Sequence, residues 1–314
     1  MGGPAASSRP PDAMTLGAFA LLVLIGAGNF LAVRLSNLAL PPFWGAGLRF
    51  AVAAALFVVL ALALRLRWPR GRQLGLTAVY GVLGFTLFYA LMYWALVRVT
   101  AGVATVVLAS VPLVTLLLAA AQGREPLRLR SLGGALLVLA GIAAMTLGGG
   151  RLAVPPGALL AMVAAALCVG QSIIVGKALS ASHPAMTNAV GMTVGAAGLL
   201  LLSALAGEAW SLPRQPQAVL AVTYLVVFGS AGLFVLVLLV VRRWTASATS
   251  YMFVLFPLVT LALEVLLFAE PVDLRTVAAA VVVMAGVWVG ALHPAGPAQK
   301  APSGALPPPA AEPS

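Results

Sequence analysis

Two stretches of the chain decide its fold: Thr100–Arg130, TAGVATVVLASVPLVTLLLAAAQGREPLRLR, and Thr245–Arg275, TASATSYMFVLFPLVTLALEVLLFAEPVDLR. They align without a gap at a constant offset of 145 residues and are identical at 12 of 31 positions. The identities include a Pro-Leu-Val-Thr-Leu core and a Glu-Pro pair shortly before a final arginine. Apolar segments often match by chance, but proline and polar positions do not. The chain therefore contains a duplicated unit.

Composition identifies the solvent around this unit. Hydrophobic residues make up 62% of the 314 positions and charged residues only 8%, and the mean hydropathy is +1.09. Soluble domains carry about a quarter charged residues, so a soluble globule is excluded. Apolar runs of about 20 residues predict transmembrane spans. The ten predicted spans lie at about 14–33, 44–64, 74–96, 101–121, 131–149, 157–178, 185–206, 218–241, 246–268 and 274–292.

The duplication divides the ten spans into five and five, and a unit with an odd number of spans enters the membrane from opposite sides in its two copies. The predicted fold class is an all-α polytopic membrane protein whose ten transmembrane helices form two inverted five-helix repeats, over 14–149 and 155–292. Tails at 1–13 and 293–314 are expected to be disordered. Inverted membrane repeats are typical of secondary transporters.

Basic residues predict the orientation. With the N-terminus inside, 12 of the 18 Lys and Arg residues fall on the inner side and 5 on the outer side, and Arg49 lies within the second span. This bias places both termini in the cytoplasm. The net charge of +11 needs no nucleic-acid partner, because the loop cluster from Arg65 to Arg72 would meet anionic lipid headgroups.

Short motifs add a family resemblance. They are Asn29-Phe30 with Arg34, Leu48-Arg49-Phe50, Tyr93-Trp94-Ala95-Leu96, Ala140-Gly141, Lys177, Ala285-Gly286 and the two Glu-Pro stretches. With these the chain resembles the drug/metabolite transporter superfamily, in particular its EamA-type family of bacterial inner-membrane transporters. The resemblance implies a central cavity that opens alternately to each side and moves small metabolites or drugs, often outward. Phe256 departs from the family pattern, in which a Glu commonly precedes the ninth-span proline.

The fourth and ninth spans hold most candidate substrate-binding residues. Pro112 and Pro257 each remove a backbone hydrogen bond in mid-span, so both helices are expected to kink and to expose carbonyl groups. Spacings of three and four residues place the candidates of each span on one helix face. These candidates are Thr105, Pro112 and Thr115 on the fourth span and Ser250, Phe253, Pro257, Thr260 and Glu264 on the ninth.

Glu264 is the only acidic residue inside a predicted span, and its repeat equivalent is Ala119. An ionised carboxylate in the bilayer core costs about 2.5–3.5 kcal/mol even on lenient scales, so it usually faces the bundle, pairs with a base or titrates with function. We therefore predict a proton-coupling role. In the alternative, Glu264 stays hydrated close to the end of its helix.

Other polar residues complete the predicted site. Asn29 and Gln171 lie in mid-span and would bind substrate or link helices, and Tyr89 would stack on a substrate. Arg49 would reach the headgroups, pair with a carboxylate or enter the cavity. Two glycine pairs, Gly191/Gly195 and Gly286/Gly290, favour close helix contact within the bundle or in a homodimer.

The sequence offers little support for an enzyme. His183 and His293 lie in a loop and at the start of the tail, and no metal-ligand spacing or phosphate loop is present. No catalytic residue, cofactor or metal is expected. The predicted function is alternating-access transport of small metabolites or drugs, with amino acids, their analogues or hydrophobic cations favoured, in the efflux direction and coupled to protons. A nucleotide-sugar or phosphate-ester antiporter is the alternative, and a membrane enzyme or a channel is a more distant one.

Overall fold

A computed structural model of the chain describes residues 12–127, 129–145, 154–179, 182–233, 236, 240, 246–268 and 274–292, and these are predominantly helical with no strand among them. For 246–251 and 291–292 the helix is described but not the side chains. The predicted tails up to residue 11 and from residue 293, and the segment 146–153 between the repeats, lie outside the described residues.

Each of the ten predicted spans overlaps a described helix, which confirms the all-α fold, and the spans predicted at 131–149 and 218–241 extend into residues outside the described ranges. Six helices are long and apolar enough to cross a membrane, and four further apolar segments are shorter within the described ranges. The helices are α1 Ala13–Asn37, α2 Pro42–Ala63, α3 Arg72–Leu96, α4 Ala101–Ala121, α5 Leu129–Ala144, α6 Pro156–Ala178, α7 Pro184–Leu205, α8 Pro216–Gly232, α9 Ala246–Phe268 and α10 Leu274–Val287, which continues as the π turn Trp288–Leu292.

Two of these helices contain a π turn at the same place in the repeat. Val82–Leu87 in α3 and Val227–Gly232 in α8 are π-helical, and their positions differ by 145 residues, the offset of the sequence repeat. A glycine is third in each turn, and a neighbouring helix uses the space: a Cβ at Gly84 would lie 3.1 Å from Ser172 Oγ, and one at Gly229 would collide with Asn29. The duplication therefore extends to local backbone geometry outside the stretch of strongest sequence identity.

The two proline-containing helices differ. Helix α4 is interrupted at Ala109 and Ser110, where Ala101–Leu108 ends and Val111–Ala121 begins with Pro112 in its first turn. The Ser110 hydroxyl donates to Val107 O at 2.6 Å and so satisfies a carbonyl group at the break. Helix α9 instead runs without interruption through Pro257. An interruption at the proline is thus present in α4, whereas the kink predicted for α9 stays a prediction. Leu255, the equivalent of Ser110, has no hydroxyl to offer.

Small residues bring helices of the bundle together. A Cβ at Gly134 of α5 would lie 2.5 Å from Gly286 O of α10, and one at Gly290 would lie 2.7 Å from Leu113 Cδ1. On the other side, a Cβ at Gly191 of α7 would lie 3.0 Å from Tyr80 Cδ1 of α3. Both predicted glycine pairs are therefore used within one bundle.

Candidate functional site

The predicted face of α9 lies inside the bundle against α1. The Thr260 side chain has no solvent exposure and its hydroxyl donates to Ala27 O at 3.4 Å. One turn earlier, the Phe256 ring fills the space beside Gly26, where a Cβ would lie 2.5 Å from the ring. Pro257 is buried between them, and Phe253 packs edge-on against Phe256 with ring centroids 5.7 Å apart. Three candidates of this face, Phe253, Pro257 and Thr260, thus lie inside the bundle or along the α1 contact.

Glu264 lies at the end of the bundle formed by Asn37, Pro42, Leu96 and Ala101, which we name the outer end after its predicted orientation. Its carboxylate accepts hydrogen bonds from the backbone N–H groups of Ala101 at 2.7 Å and Gly102 at 3.0 Å. Arg34 of α1 forms an ion pair with it at 3.5 Å. Glu264 is 4% exposed, and this burial disfavours the alternative in which it stays hydrated.

These contacts make Glu264 a cap on α4 supplied by another helix. The first N–H groups of a helix have no partner within it, and a carboxylate there also meets the positive end of the helix dipole. The fit depends on Gly102, because a Cβ there would lie 2.7 Å from Glu264 Oε2. We call the contacts of Glu264 with Arg34, Ala101 and Gly102 the outer latch. It ties α9, α4 and α1 together at the outer end.

A second carboxylate caps α2 at the same end. Glu208, in the loop after α7, accepts from the N–H groups of Phe43 at 3.1 Å and Trp44 at 2.7 Å. Trp44 also stacks on Trp210 with centroids 5.0 Å apart, and its indole N–H donates to Ser211 O at 2.7 Å. Glu208 is half-buried, unlike Glu264. The outer end therefore carries two carboxylate caps that join helices of different repeats.

The hydroxyl groups of α4 are engaged by α4 itself. Thr105 is fully buried and donates to Gly102 O at 2.9 Å, and Thr115 donates to Val111 O at 2.8 Å. Pro112 and Thr115 are half-buried, and Thr115 lies beside Gly170 of α6. Both hydroxyl protons are thus used within α4, and the half-buried Thr115 is the more accessible of the two hydroxyl groups.

Two other predicted residues lie elsewhere. Gln171 accepts from Gln122 Nε2 at 2.7 Å, so its amide links α6 to the inner end of α4, as the helix-linking interpretation expects. Ser250 lies on α9, but its side chain is outside the described part of the chain. The structure thus separates the predicted set into the α9 face, the α4 hydroxyls, the Gln171 link and a fourth group around Arg49.

This fourth group surrounds a buried guanidinium. Arg49 of α2 is 1% exposed; its Nε donates to Ser230 Oγ at 3.2 Å and its Nη2 to Gly229 O at 3.1 Å, both in the α8 π turn. The guanidinium carbon lies 5.0 Å from the centre of the Phe50 ring and 5.2 Å from that of Tyr89. Arg49 therefore does not extend to the headgroups.

Three shielded polar atoms of this group make no hydrogen bond of good geometry with the described residues: Arg49 Nη1, Asn29 Oδ1 and Tyr93 Oη. Asn29 and Arg49 Nη2 both approach Gly229, and the Tyr93 hydroxyl lies beside the Arg49 guanidinium, within reach of a weak hydrogen bond from it. Such a bond would still leave the Tyr93 O–H without an acceptor. We name Asn29, Arg49, Tyr89, Tyr93, Gly229 and Ser230 the Arg49 cluster. Asn29 and Tyr89 are among the residues predicted from the sequence to bind substrate, whereas three alternatives were open for Arg49. The sequence signal that marks Arg49 is that it is a single basic residue within an apolar run.

A separate cavity of about 410 Å³ lies at the inner end, between the α2–α3 loop and the start of α7. Arg67 and Arg70 line it together with Trp68 and His183. Arg67, Trp68 and Arg70 belong to the basic loop that the sequence predicts to face lipid headgroups, whereas His183 precedes α7. Among the described residues, no group of three His, Cys, Asp or Glu side chains could hold a metal ion.

Comparisons with known proteins agree with this architecture. The model of the EamA-like transporter family matches residues 14–147 and 156–291. A solved crystal structure is similar over 89% of this chain and 97% of its own, with a TM-score of 0.63 and 21% sequence identity. At that identity the similarity concerns the fold alone.

Curated relatives with similar sequences are transporters by name. An uncharacterized transporter of Archaeoglobus fulgidus is 26% identical over 271 residues, which cover 86% of this chain and 96% of the relative. The uncharacterized inner membrane transporter YedA of Escherichia coli strain K12 is 30% identical and aligned over 76% of this chain and 78% of its own. A probable terminal-alkyne amino-acid exporter of Streptantibioticus cattleyicolor is 28% identical over 64% of each chain.

Proposed function

Because the chain belongs to the EamA-like transporter family, we propose that it is a secondary active carrier of the bacterial inner membrane that exports small amphipathic metabolites by alternating access. Amino acids and their analogues are the first candidates, a choice supported by the exporter name of the Streptantibioticus relative. The charge bias supports cytoplasmic termini, with the repeats at 14–149 and 155–292.

The observation that carries this proposal is the duplication seen at several levels. The two halves share the Pro-Leu-Val-Thr-Leu core at an offset of 145 and a π turn at the same offset. Equivalent helices that enter from opposite sides can exchange conformations, and that exchange opens the central site to each side in turn. Such a scaffold suits a carrier better than a channel, which needs no exchange.

The outer latch supports a defined resting state. It closes α9 and α4 over each other at the outer end through a buried carboxylate with two N–H donors and Arg34. The equivalent inner position is Ala119, which cannot accept hydrogen bonds. The carrier would therefore rest with its outer end closed and its inner end available to cytoplasmic solute.

Proton coupling follows from the same contacts. The ionised carboxylate accepts from both N–H groups and attracts Arg34, whereas a protonated carboxyl loses the ion pair and is a weaker acceptor. A proton that enters from the outside would release the latch, open the outer end and let solute leave. Acidification of the outer compartment should then promote outward opening, and alkalinisation should favour the closed outer end.

Transport in proteoliposomes tests the proposal. The purified carrier should show saturable uptake and counterflow with at least one member of a panel of radiolabelled amino acids, amines and cationic dyes, and an imposed pH gradient should accelerate the net flux. In Glu264→Gln the gradient effect should disappear while counterflow remains. Glu208→Gln is the matched control, since it alters a carboxylate cap of the same end but should keep the gradient effect.

Two outcomes would contradict it. A wild-type protein that moves no member of the panel, or that conducts without counterflow, is not such a carrier. A Glu264→Gln protein that responds to the pH gradient like the wild type removes Glu264 from the coupling step, although a carrier that uses another group would remain.

A further inference from the structure

We propose that the Arg49 cluster is the carboxylate-binding subsite of this carrier, so that its solutes are α-amino acids or closely similar zwitterions. The inference rests on the proposed transport function and names the chemical class of the solute. The sequence alone favours hydrophobic cations as much as amino acids. Because the charge at the centre of the Arg49 cluster is positive, the structure favours amino acids over purely cationic solutes.

Arg49 is incompletely paired. Two of its nitrogens donate to neutral acceptors, Ser230 Oγ and Gly229 O, and Nη1 makes no hydrogen bond of good geometry with the described residues, its neighbour being the neutral Tyr93 hydroxyl. Within those residues no carboxylate forms an ion pair with Arg49, since the buried acid of the bundle, Glu264, pairs with Arg34 instead. A buried guanidinium that keeps a free donor and lacks a counter-ion is poised to bind an anion.

The single guanidinium of the cluster fits an anion with one negative charge better than one with two. A phosphate monoester carries about two negative charges at neutral pH, and a nucleoside diphosphate sugar carries about one on each of its two phosphates, so either is usually held by several bases. The Arg49 cluster has one guanidinium, and its second potential donor to an anion is the neutral hydroxyl of Tyr93. A carboxylate, with one charge and two oxygens, matches Arg49 Nη1 and Tyr93 Oη. The cluster thus argues against the phosphate-ester alternative.

An acceptor beside Arg49 favours an amino acid over a simple carboxylic acid. Asn29 Oδ1 is a buried acceptor with no donor, and it approaches Gly229 from the α1 side, close to the Arg49 guanidinium. An ammonium group next to the bound carboxylate would supply that donor. The aromatic rings of Phe50, Tyr89 and Phe85 lie together, with Tyr89 4.4 Å from Phe50 and stacked on Phe85 at 6.4 Å, and they offer an apolar surface for the solute side chain.

The Arg49 cluster is present in one repeat only. Positions equivalent to Arg49 and Asn29 are Val194 and Ile174, and the equivalent of Ser230 is Phe85. One carrier would therefore bind one carboxylate, at the junction of α1, α2 and α3 with the α8 π turn. Because Arg49 and Tyr93 are closed off from solvent here, solute enters only when the bundle opens, as alternating access provides.

The test compares acids with their amides on the intact carrier. Counterflow is measured with a panel of α-amino acids, and each active member is then replaced by its amide, by its decarboxylated amine and by the acid without its amino group. The inference expects the loss of the carboxylate to lower apparent affinity on the order of 10- to 100-fold, the usual effect of one charged hydrogen-bonding partner. Loss of the amino group should cost less.

Variants of the protein give a second readout. Arg49→Gln should abolish selection of acid over amide, Arg49→Lys should restore part of it, and Ser230→Ala should weaken it mildly. Arg98→Gln is the control, because Arg98 is exposed, contacts Trp94 at the end of α3 and lies outside the cluster. The ligand comparison in the wild type does not depend on whether an Arg49 variant folds.

The outcomes separate the two proposals. Wild-type counterflow of amines, amides or dyes as efficient as that of amino acids would overturn the carboxylate subsite and leave the carrier function intact. Preferred exchange of phosphate esters would also overturn it. No counterflow with any solute would contradict the carrier function itself.

Discussion

The outer and inner ends of the bundle are built from equivalent residues of the two repeats, but they are closed by different chemistry. At the outer end Glu264 caps α4 and Glu208 caps α2. The equivalent inner positions are Ala119 and Ala63, and the start of α7 is capped by its own His183, whose Nδ1 accepts from Ala185 N at 3.2 Å. Among described residues, carboxylate caps between repeats therefore occur at the outer end alone. In the proposed mechanism the duplicated scaffold supplies two gates, and single residues such as Glu264 set which one rests closed.

Replacement of Glu264 by Ala is expected to have the largest effect on this difference. It leaves the N–H groups of Ala101 and Gly102 without an acceptor and removes the ion pair of Arg34. Arg34 is 27% exposed in the pair, so the main cost is the two buried N–H groups left unsatisfied, about 1–3 kcal/mol each. Thermal unfolding in detergent should show a clearly lower melting temperature, with Glu264→Gln in between. A melting temperature unchanged in both variants would show that the latch does not stabilise the outer end.

Ala119→Glu should add a second latch at the inner end. By the repeat offset, the new carboxylate would face the start of α9 when the inner end closes. Both closed states would then carry a cap, and exchange between them should slow about tenfold if the added contact contributes about 1.4 kcal/mol. Counterflow rate measures this, and Ala120→Glu, one position away on the helix, is the control. If both substitutions slow counterflow equally, the effect comes from placing a charge in this helix and not from a new cap on α9.

Glu208→Ala should have a smaller effect than Glu264→Ala. The carboxylate is half-buried and bonds the same kind of N–H pair, and loss of a helix cap costs about 1 kcal/mol. Unfolding experiments should show a modest loss, and the stacked pair Trp44/Trp210 should keep α2 near α7, which tryptophan fluorescence can follow. A loss as large as that of Glu264→Ala would mean that burial does not distinguish the two caps.

Glu125→Gln should have the smallest effect. Glu125 and Lys177 form an ion pair at the inner end at 3.7 Å, with side chains 40% and 67% exposed. Such pairs contribute about 0–1 kcal/mol and are screened by salt. Stability and counterflow should be close to those of the wild type at 150 mM salt. A strong reduction of either would reveal an inner-end closure that depends on this pair.

The fold was largely predictable because its signals are summed over many residues. Apolar runs and the repeated stretch located all ten helices, since each span carries about 20 residues of evidence. The inward face of α9 was predictable for the same reason, because Phe253, Pro257, Thr260 and Glu264 recur with helical spacing. Family membership followed from short motifs that the family match confirms.

Single contacts could not be predicted in this way. The partners of Glu264 are backbone N–H groups of α4, which every residue possesses and which no sequence pattern marks. The role of Arg49 depends on a π turn in another helix, whose carbonyl and hydroxyl groups become available through backbone geometry. The difference between α4, which is interrupted near Pro112, and α9, which continues through Pro257, likewise could not be predicted from the Pro-Leu-Val-Thr-Leu sequence that both share.

The matching π turns in α3 and α8 also carry historical information. A π turn is a rare interruption of an α-helix, and here it stands at the same register in both halves. A single unit that already carried the turn before duplication accounts for the match with one event. The side chains of the two turns now differ: Ser230 accepts from Arg49 in one half, and Phe85 stands in its place in the other. The backbone of the duplicated unit has thus been retained more closely than its side chains.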